Sequence, residues 1–333
     1  MQILTPELIA GKKVLLRMDL DVPIKEGVVV DDFRLQAALP TIDMCLEHAE
    51  TVTVMGHIGR PGGKEVPSLS VEPIYDWLAE GLGSQDLGEC KLRLLENLRF
   101  ERGESFDTAQ DETAVSDYAR ELAKLGDFYV NEAFAAFHPA ASTTVLPTLL
   151  PHAAGLRFAQ EVEKLTQVLE NPKRPLVAII GGAKVEDKLP VIQALAKLAD
   201  VVLVGGKLAA EISTQSHLLG EYSHKIVVAK LNEDGTDITP QTTEAWKQLL
   251  PHAKMVIWNG PLGKVEDPQN DQTRILAQAI IDSEAESIIG GGDTVAALDK
   301  WDLLDHFSFV STGGGAMWEF LSKRTLPTIE ALM

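Results

Sequence analysis

Short aliphatic and β-branched runs recur along the chain at 14–18, 51–55, 92–95, 128–130, 176–180, 201–204, 226–229, 255–258, 287–289 and 307–310. Stretches such as 34–48, 114–125 and 190–198 lie between them, with apolar residues returning every three or four positions, as on a helix with one buried face. Continuous apolar runs suit strands covered on both sides, so the alternation predicts parallel sheets packed between helices. These strands are too many for one ordinary sheet, and two α/β halves are expected. The pattern breaks at 151–158, PHAAGLRF, where proline, glycine and small residues gather. From there 161–170 reads as a connecting helix stopped by Asn171-Pro172.

The polar motifs fall after the strands. In the first half these are RMDLDVP at 17–23, GHIGRPGG at 56–63, ENLRF at 96–100 and NEAFAAFHP at 131–139. In the second half they are GGAKVEDK at 181–188, GGK at 205–207, NGPLG at 259–263, GGGDT at 290–294 and STGGG at 311–315. Open parallel sheets bind ligands beyond the carboxyl ends of their strands. One half therefore offers arginine and histidine to a ligand (Arg17, Arg34, His57, Arg60, Arg99, His138), and the other offers glycine, lysine and aspartate. Arginine forks match phosphate and carboxylate oxygens, while glycine turns let backbone N–H groups at a helix start approach a phosphate. Lys184 and Lys188 stand four apart, on one face of a helix opened by Gly181-Gly182. A plain βα turn with two solvated lysines accounts for that stretch taken alone. Asp293 after its glycines suits a helix cap, a ligand for Mg²⁺, or both.

The formal net charge of −19 argues against nucleic acid or an anionic membrane as partner. It also means that an anionic substrate must be held by a local cluster of cations. With 45% hydrophobic and 24% charged residues the composition is that of a soluble globular protein. No apolar run is long enough to span a bilayer, and MQILTPELIAGKK does not read as a signal peptide. Cys45 and Cys90 form neither a disulfide framework nor a zinc spacing, and Cys45 falls on the apolar face of a helix. A cytoplasmic location follows as the expectation. Neither a Walker A sequence nor a GxGxxG fingerprint is present; Gly81 and Gly83 lead to Asp86 where a third glycine belongs.

The ordered set VLLRMDLDVP, DDFRLQAALPTI, HIGRP, LLENLRF, YVNEAF, ENPKRPLVAIIGGAKVEDK, VIWNGPLG, SIIGGGDT and STGGGAMWEFL resembles phosphoglycerate kinase over essentially the whole chain. The resemblance implies two Rossmann-like three-layer α/β domains with parallel sheets, joined by a helix and hinge. It implies a phosphoglycerate-binding domain at 1–157, completed by a returning tail at 323–333, and a nucleotide-binding domain at 158–322. The implied reaction is reversible transfer of the acyl phosphate of 1,3-bisphosphoglycerate to Mg-ADP, giving 3-phosphoglycerate and ATP, by a cytoplasmic glycolytic monomer. Carried over by position, Asp19, Asp21, Arg34, His57, Arg60, Arg99 and His138 bind the phosphoglycerate. Lys184, Lys188, Glu266, Gly290, Gly291, Gly292, Asp293 and Thr294 meet the nucleotide, with Asp293 on magnesium and Glu266 on the ribose. Arg34, Lys184 and Lys188 are the catalytic cations, and hinge closure excludes water.

Three departures mark this chain. The pattern Asp-Phe-Asn-Val-Pro reads Asp19-Leu20-Asp21-Val22-Pro23, putting a carboxylate where the family has an amide. The pattern His-Arg-Ala-His-Ala-Ser reads His138-Pro139-Ala140-Ala141-Ser142, so a substrate arginine is missing. The region 207–258 is shorter than the family leads one to expect. A degenerate relative that binds nucleotide or phosphoglycerate but transfers little is the alternative these departures raise. A nicotinamide dehydrogenase on the same fold is disfavoured by the missing fingerprint.

Overall fold

Every aliphatic run named above forms a strand in the computed structural model, which describes residues 1–82, 91–109, 112–182, 189–214 and 219–333. The chain divides into two units, Met1–Glu163 together with Thr325–Met333, and Lys164–Arg324.

The first unit runs α1 (Pro6–Ile9), β1 (Lys13–Arg17), β2 (Ile24–Lys25), β3 (Val28–Val29), α2 (Phe33–His48), β4 (Thr51–Met55), α3 (Glu72–Leu82), β5 (Leu92–Leu94), α4 (Glu112–Ala123), β6 (Phe128–Asn131) and β7 (His152–Ala154). The helix α5 (Leu156–Glu170) then carries the chain from one unit into the other. Its sheet is wholly parallel in the order β5-β4-β1-β6-β7, while β2 and β3 form a separate antiparallel hairpin. The edge strand β7 lies inside the stretch whose proline and small residues read as a break. His152, Ala153 and Ala154 carry little strand propensity and are held by pairing with β6.

The second unit runs β8 (Leu176–Ile180), α6 (Leu189–Leu198), β9 (Val201–Val204), α7 (Lys207–Thr214), β10 (Ile226–Val228), α8 (Pro240–Lys247), β11 (Met255–Asn259), α9 (Gln272–Asp282), β12 (Glu286–Gly290), α10 (Gly292–Lys300), β13 (Phe309–Val310) and α11 (Gly314–Lys323). A last short helix, α12 (Pro327–Glu330), belongs to the first unit, where Leu326, Thr328 and Leu332 are buried. The second sheet is also wholly parallel, in the order β10-β9-β8-β11-β12-β13. All residues of β8 and β11 are buried, which is why their sequences are apolar without alternation. Both sheets start in the centre, grow outward to one side and then return to grow on the other. In such sheets the loops diverge at the switch point and leave a crevice there. That crevice lies between the ends of β1 and β6 in the first unit and of β8 and β11 in the second.

The start of α5 is fastened by a buried carboxylate. Glu132, one residue past β6, accepts hydrogen bonds from the N–H groups of Arg157 (3.0 Å) and Phe158 (3.1 Å) and from the Thr41 hydroxyl (2.6 Å). Thr41 in turn accepts from the Leu156 N–H at 2.9 Å, so the helix's first donors, which lack intrahelical partners, are satisfied. Gly155 leaves room for this carboxylate, since a Cβ there would stand 2.0 Å from Glu132 Oε2. Burial nevertheless outweighs the donors and pushes the Glu132 pKa up to about 8, from an ordinary 4.5. The folded carboxyl therefore holds its proton where an unfolded one has lost it. Its contribution to stability is full below pH 4.5 and is lost as pH rises through about 8. Thermal unfolding midpoints followed from pH 5 to 9 should fall with this group's titration, and Glu132→Gln should flatten that slope whatever its own cost.

Candidate functional site

Parallel register sets the first unit's crevice. Arg17, the last residue of β1, pairs with Met55 of β4 on one side and Asn131 of β6 on the other. Its guanidinium is fully buried, a position tolerable only because its donors are used. Nε donates to Ser142 Oγ at 3.0 Å, Nη1 donates to the Met18 carbonyl, and Nη2 lies 2.6 Å from His57 Nδ1. Ser142 sits in a single π turn, Ala141–Val145, and donates through both its hydroxyl (2.6 Å) and its N–H (3.1 Å) to the buried carboxylate of Glu104. Burial raises the Glu104 pKa, against the pull of Arg17 and of the two Ser142 donors.

His57 stands two residues beyond β4 and is buried. Its pKa lies well below the ordinary value, first through burial and then through the positive charges of Arg17, Arg99, Arg34 and Arg60. The histidine is therefore neutral; Arg17 touches it, and the charges of the other three arginines reach it. Arg99 donates to the Gly59 carbonyl at 2.8 Å, and its pKa is lowered by burial and by Arg17. The loop carrying Gly59 is braced by Asn97, whose Nδ2 donates to the Ile58 and Leu69 carbonyls, both at 2.8 Å. Asp19 is buried, and its Oδ2 accepts from the Ala135 N–H at 2.8 Å; burial raises its pKa while Arg34 opposes.

Asp21, where the family pattern has an amide, accepts from the Gly59 N–H through Oδ1 at 2.9 Å. An asparagine Oδ1 could accept that bond equally well, so the carboxylate preserves the contact that orders the loop. The Asp21 carbonyl also accepts from Arg34 Nη1 at 2.5 Å. Asp19, Asp21, Arg34, His57, Arg60 and Arg99 are thus one neighbourhood. The His138 side chain is exposed, its ring 4.1 Å from that of Phe137.

In the second unit register aligns Val204, Ile180, Asn259 and Gly290 across β9, β8, β11 and β12. The next residue of each strand is glycine: Gly205, Gly181, Gly260 and Gly291. At Gly181 a Cβ would lie 2.2 Å from the Pro261 carbonyl oxygen, and Gly260 and Gly291 have φ of +96° and +97°. Side chains are excluded there by contact and by backbone conformation. Gly291 leads straight into α10, whose first N–H groups lack helical acceptors. Gly290 ends β12, Gly292 and Asp293 are exposed in the first turn of α10, and Thr294 is buried, accepting from the Gly260 N–H at 3.0 Å. The Asn259 amide ties the row to α11 by donating to the Gly314 carbonyl at 2.8 Å. Glu266 is exposed on the loop after β11, on the rim of a cleft of about 200 Å³ shared with Val265, Asn270, Arg274 and Trp301. A wider hollow of about 720 Å³, among Lys173, Arg174, Lys254 and Glu286, lies at the opposite ends of the strands, where parallel sheets do not build ligand sites. Lys184 and Lys188 fall outside the described residues.

Sequence reasoning missed Glu104, Ser142, Asn97 and Asn259 as parts of the site. Asp237 accepts from the N–H of Gln272, the first residue of α9, at 3.1 Å.

The chain is similar along its length to proteins of one family. A sequence model described as phosphoglycerate kinase matches residues 6–221 and 217–324. The chain belongs to the phosphoglycerate kinase family. The phosphoglycerate kinase of Roseiflexus castenholzii is 37% identical, across 97% of this chain and 96% of the relative; that of Legionella pneumophila is 38% identical, across 97% and 95%. Among solved structures, phosphoglycerate kinase from Coxiella burnetii superposes with a TM-score of 0.81 at 33% identity, covering 97% of this chain and 96% of its own. That from Pyrococcus horikoshii gives 0.84 at 26% identity, covering 100% and 98%. The alignment to the Roseiflexus enzyme spans 388 positions against 333 residues here, so that phosphoglycerate kinase has positions with no counterpart in this chain. The two matched segments meet at 217–221, inside the region that reads as shortened.

Close packing around the glycine row makes it a sensitive point. A Cβ at Gly314 would meet the Gly291 nitrogen at 2.4 Å and Asn259 Nδ2 at 2.8 Å. Gly314→Ala should destabilise the Lys164–Arg324 unit by about 1–3 kcal/mol, read as a lower urea midpoint in a titration that follows the tryptophans of that unit.

Proposed function

We propose that this chain carries out the phosphoglycerate kinase reaction, moving the acyl phosphate of 1,3-bisphosphoglycerate reversibly to Mg-ADP. The observation that carries the reading is that hydrogen bonds tie Arg17 to His57, Arg99 to Gly59, and Gly59 and Arg34 to Asp21 beside one switch point, where the charge of Arg60 also reaches His57. In a chain of net charge −19, four guanidiniums that outnumber the Asp19, Asp21 and Glu104 carboxyls beside them make a site for a strongly anionic small molecule. The second crevice, kept clear of side chains by its row of glycines, suits nucleotide phosphates bound at the open N–H groups that start α10.

In this reading Asp19, Asp21, Arg34, His57, Arg60, Arg99 and His138 hold the phosphoglycerate. Lys184, Lys188 and Gly290 to Thr294 hold the nucleotide phosphates, and Glu266 holds the ribose. The bond from phosphorus to the acyl oxygen breaks as a bond to the terminal oxygen of ADP forms, leaving a carboxylate. The attacking oxygen is already an anion, so no general base is needed. What remains is positioning and charge neutralisation, with Arg34 and Lys184 balancing the phosphoryl oxygens in flight. Water competes as nucleophile, so the two substrates must meet in a closed, dry site during turnover.

Magnesium fits this arrangement in one respect. The described residues contain no cluster of three or more ligating side chains, and Asp293 offers a lone exposed carboxylate in the first turn of α10. Such a site suits an ion held mainly by phosphate oxygens and water, and bound magnesium would lower the charge of the nucleotide. Small-molecule substrates, action as a monomer and a cytoplasmic location belong to the same reading; no helix among the described residues is long and apolar enough to cross a membrane.

A coupled assay with 3-phosphoglycerate and ATP tests the proposal directly, and absence of turnover despite Mg-ADP binding would overturn it. Arg34→Ala should remove several orders of magnitude of kcat with Mg-ADP affinity nearly unchanged, whereas Lys188→Ala should weaken nucleotide binding itself. Equal losses of both quantities in Arg34→Ala would make that arginine structural.

A further inference from the structure

The carboxylate of Glu104, the hydroxyl of Ser142, the guanidinium of Arg17 and the imidazole of His57 form one hydrogen-bonded line in the first unit. We propose that Glu104 and Ser142 are positioning residues for the acid substrate, acting through Arg17 to fix His57 as a ring that accepts at Nδ1 and donates from Nε2.

Donor bookkeeping along the line is unambiguous. A guanidinium carries donors only, so the Arg17 Nη2 contact at 2.6 Å makes His57 Nδ1 the acceptor. A neutral imidazole has one N–H, which must then sit on Nε2. Arg17 Nε donates to Ser142 Oγ at 3.0 Å, so the Ser142 proton is free to go to Glu104 Oε1 at 2.6 Å. The other Glu104 oxygen takes the Ser142 N–H at 3.1 Å, so both carboxylate oxygens are acceptors on the same serine. Neither Arg17 bond can be reversed, because a guanidinium has no acceptor. The line therefore has a single polarity, set by the Arg17 guanidinium, which donates to Ser142 on one side and to His57 on the other.

The ring must also stay neutral for this to matter, and its surroundings see to that. Burial and the four arginines disfavour a charged imidazole, so it brings a directed donor to the cationic pocket without adding a fifth charge. An anionic oxygen entering the pocket needs donors, and an Nδ1–H tautomer would turn a lone pair toward it instead. Glu104 and Ser142 also pin Arg17 in the sheet, so the orientation of the ring depends on residues buried on the far side of that guanidinium.

This inference rests on the proposed phosphoglycerate site, and its test separates the two. Nitrogen NMR of the imidazole, assigned through a His57→Gln reference, reports the tautomer without any turnover. The wild-type ring should be protonated on Nε2 at neutral pH; protonation on Nδ1 would overturn the proposal. Ser142→Ala and Glu104→Gln should mix the tautomers and raise KM for 3-phosphoglycerate about tenfold, with KM for ATP changed less than about twofold, the scale of one charge-assisted hydrogen bond. Glu104→Asp should restore part of the loss. Unchanged KM values in folded variants, or equal rises for both substrates, would mean the line is merely structural and the proposal wrong. Wild-type protein with an Nε2–H ring but no phosphoryl transfer would instead sink the functional reading and leave the tautomer assignment standing.

Discussion

Backbone amides can face a ligand only where no side chain intervenes, and parallel pairing brings several strand ends to one level at once. In the Lys164–Arg324 unit the bare positions are Gly205, Gly181, Gly260 and Gly291, neighbours across four strands in register; the N–H groups of the first three go to the Ile180 and Asn259 carbonyls and the Thr294 hydroxyl, so the row clears the way to the start of α10. The glycines are far apart in sequence and form a row only because the strands have that order. Everything beyond the row depends on it: the approach of the Pro261 carbonyl to Gly181, the Thr294 bond to Gly260, and the start of α10.

The Met1–Glu163 unit solves a related problem by the opposite means. Its switch point is furnished with side chains, and their charges would repel one another without support. Glu104 sits behind Arg17, Asp21 accepts through both its carbonyl and its carboxylate, and Gly59 takes up the Arg99 guanidinium. The counter-charges lie behind or beside the cations, and His57 stays neutral among them. Positive potential is thus concentrated in a molecule that is acidic overall.

The strands and the split into two sheets were legible because buried parallel strands leave an apolar run that only burial explains. The edge strand His152–Ala154 was not, since its pairing comes from β6 and not from its own residues. Arg34, His57, Arg60 and Arg99 could be read as one cluster because each follows a strand or opens a helix at the same end of a sheet. Glu104 and Ser142 could not. They are 38 residues apart, and only the π turn at Ala141–Val145 brings the serine under Arg17. His138 was read by motif position, and it is exposed beside Phe137. The change at Asp21 reads as a serious loss in sequence and is mild in structure, because the bond it makes needs only an oxygen.

The first unit is assembled from both ends of the chain, since Thr325–Met333 is part of it and Leu326, Thr328 and Leu332 are buried there. During synthesis, then, residues 1–163 emerge early yet lack a piece of their own interior until translation has passed through the whole of the other unit. The Lys164–Arg324 unit has no such debt and can complete its sheet first. Order of emergence from the ribosome and order of completion therefore differ: the first half starts to fold before the second is made and can finish only after it.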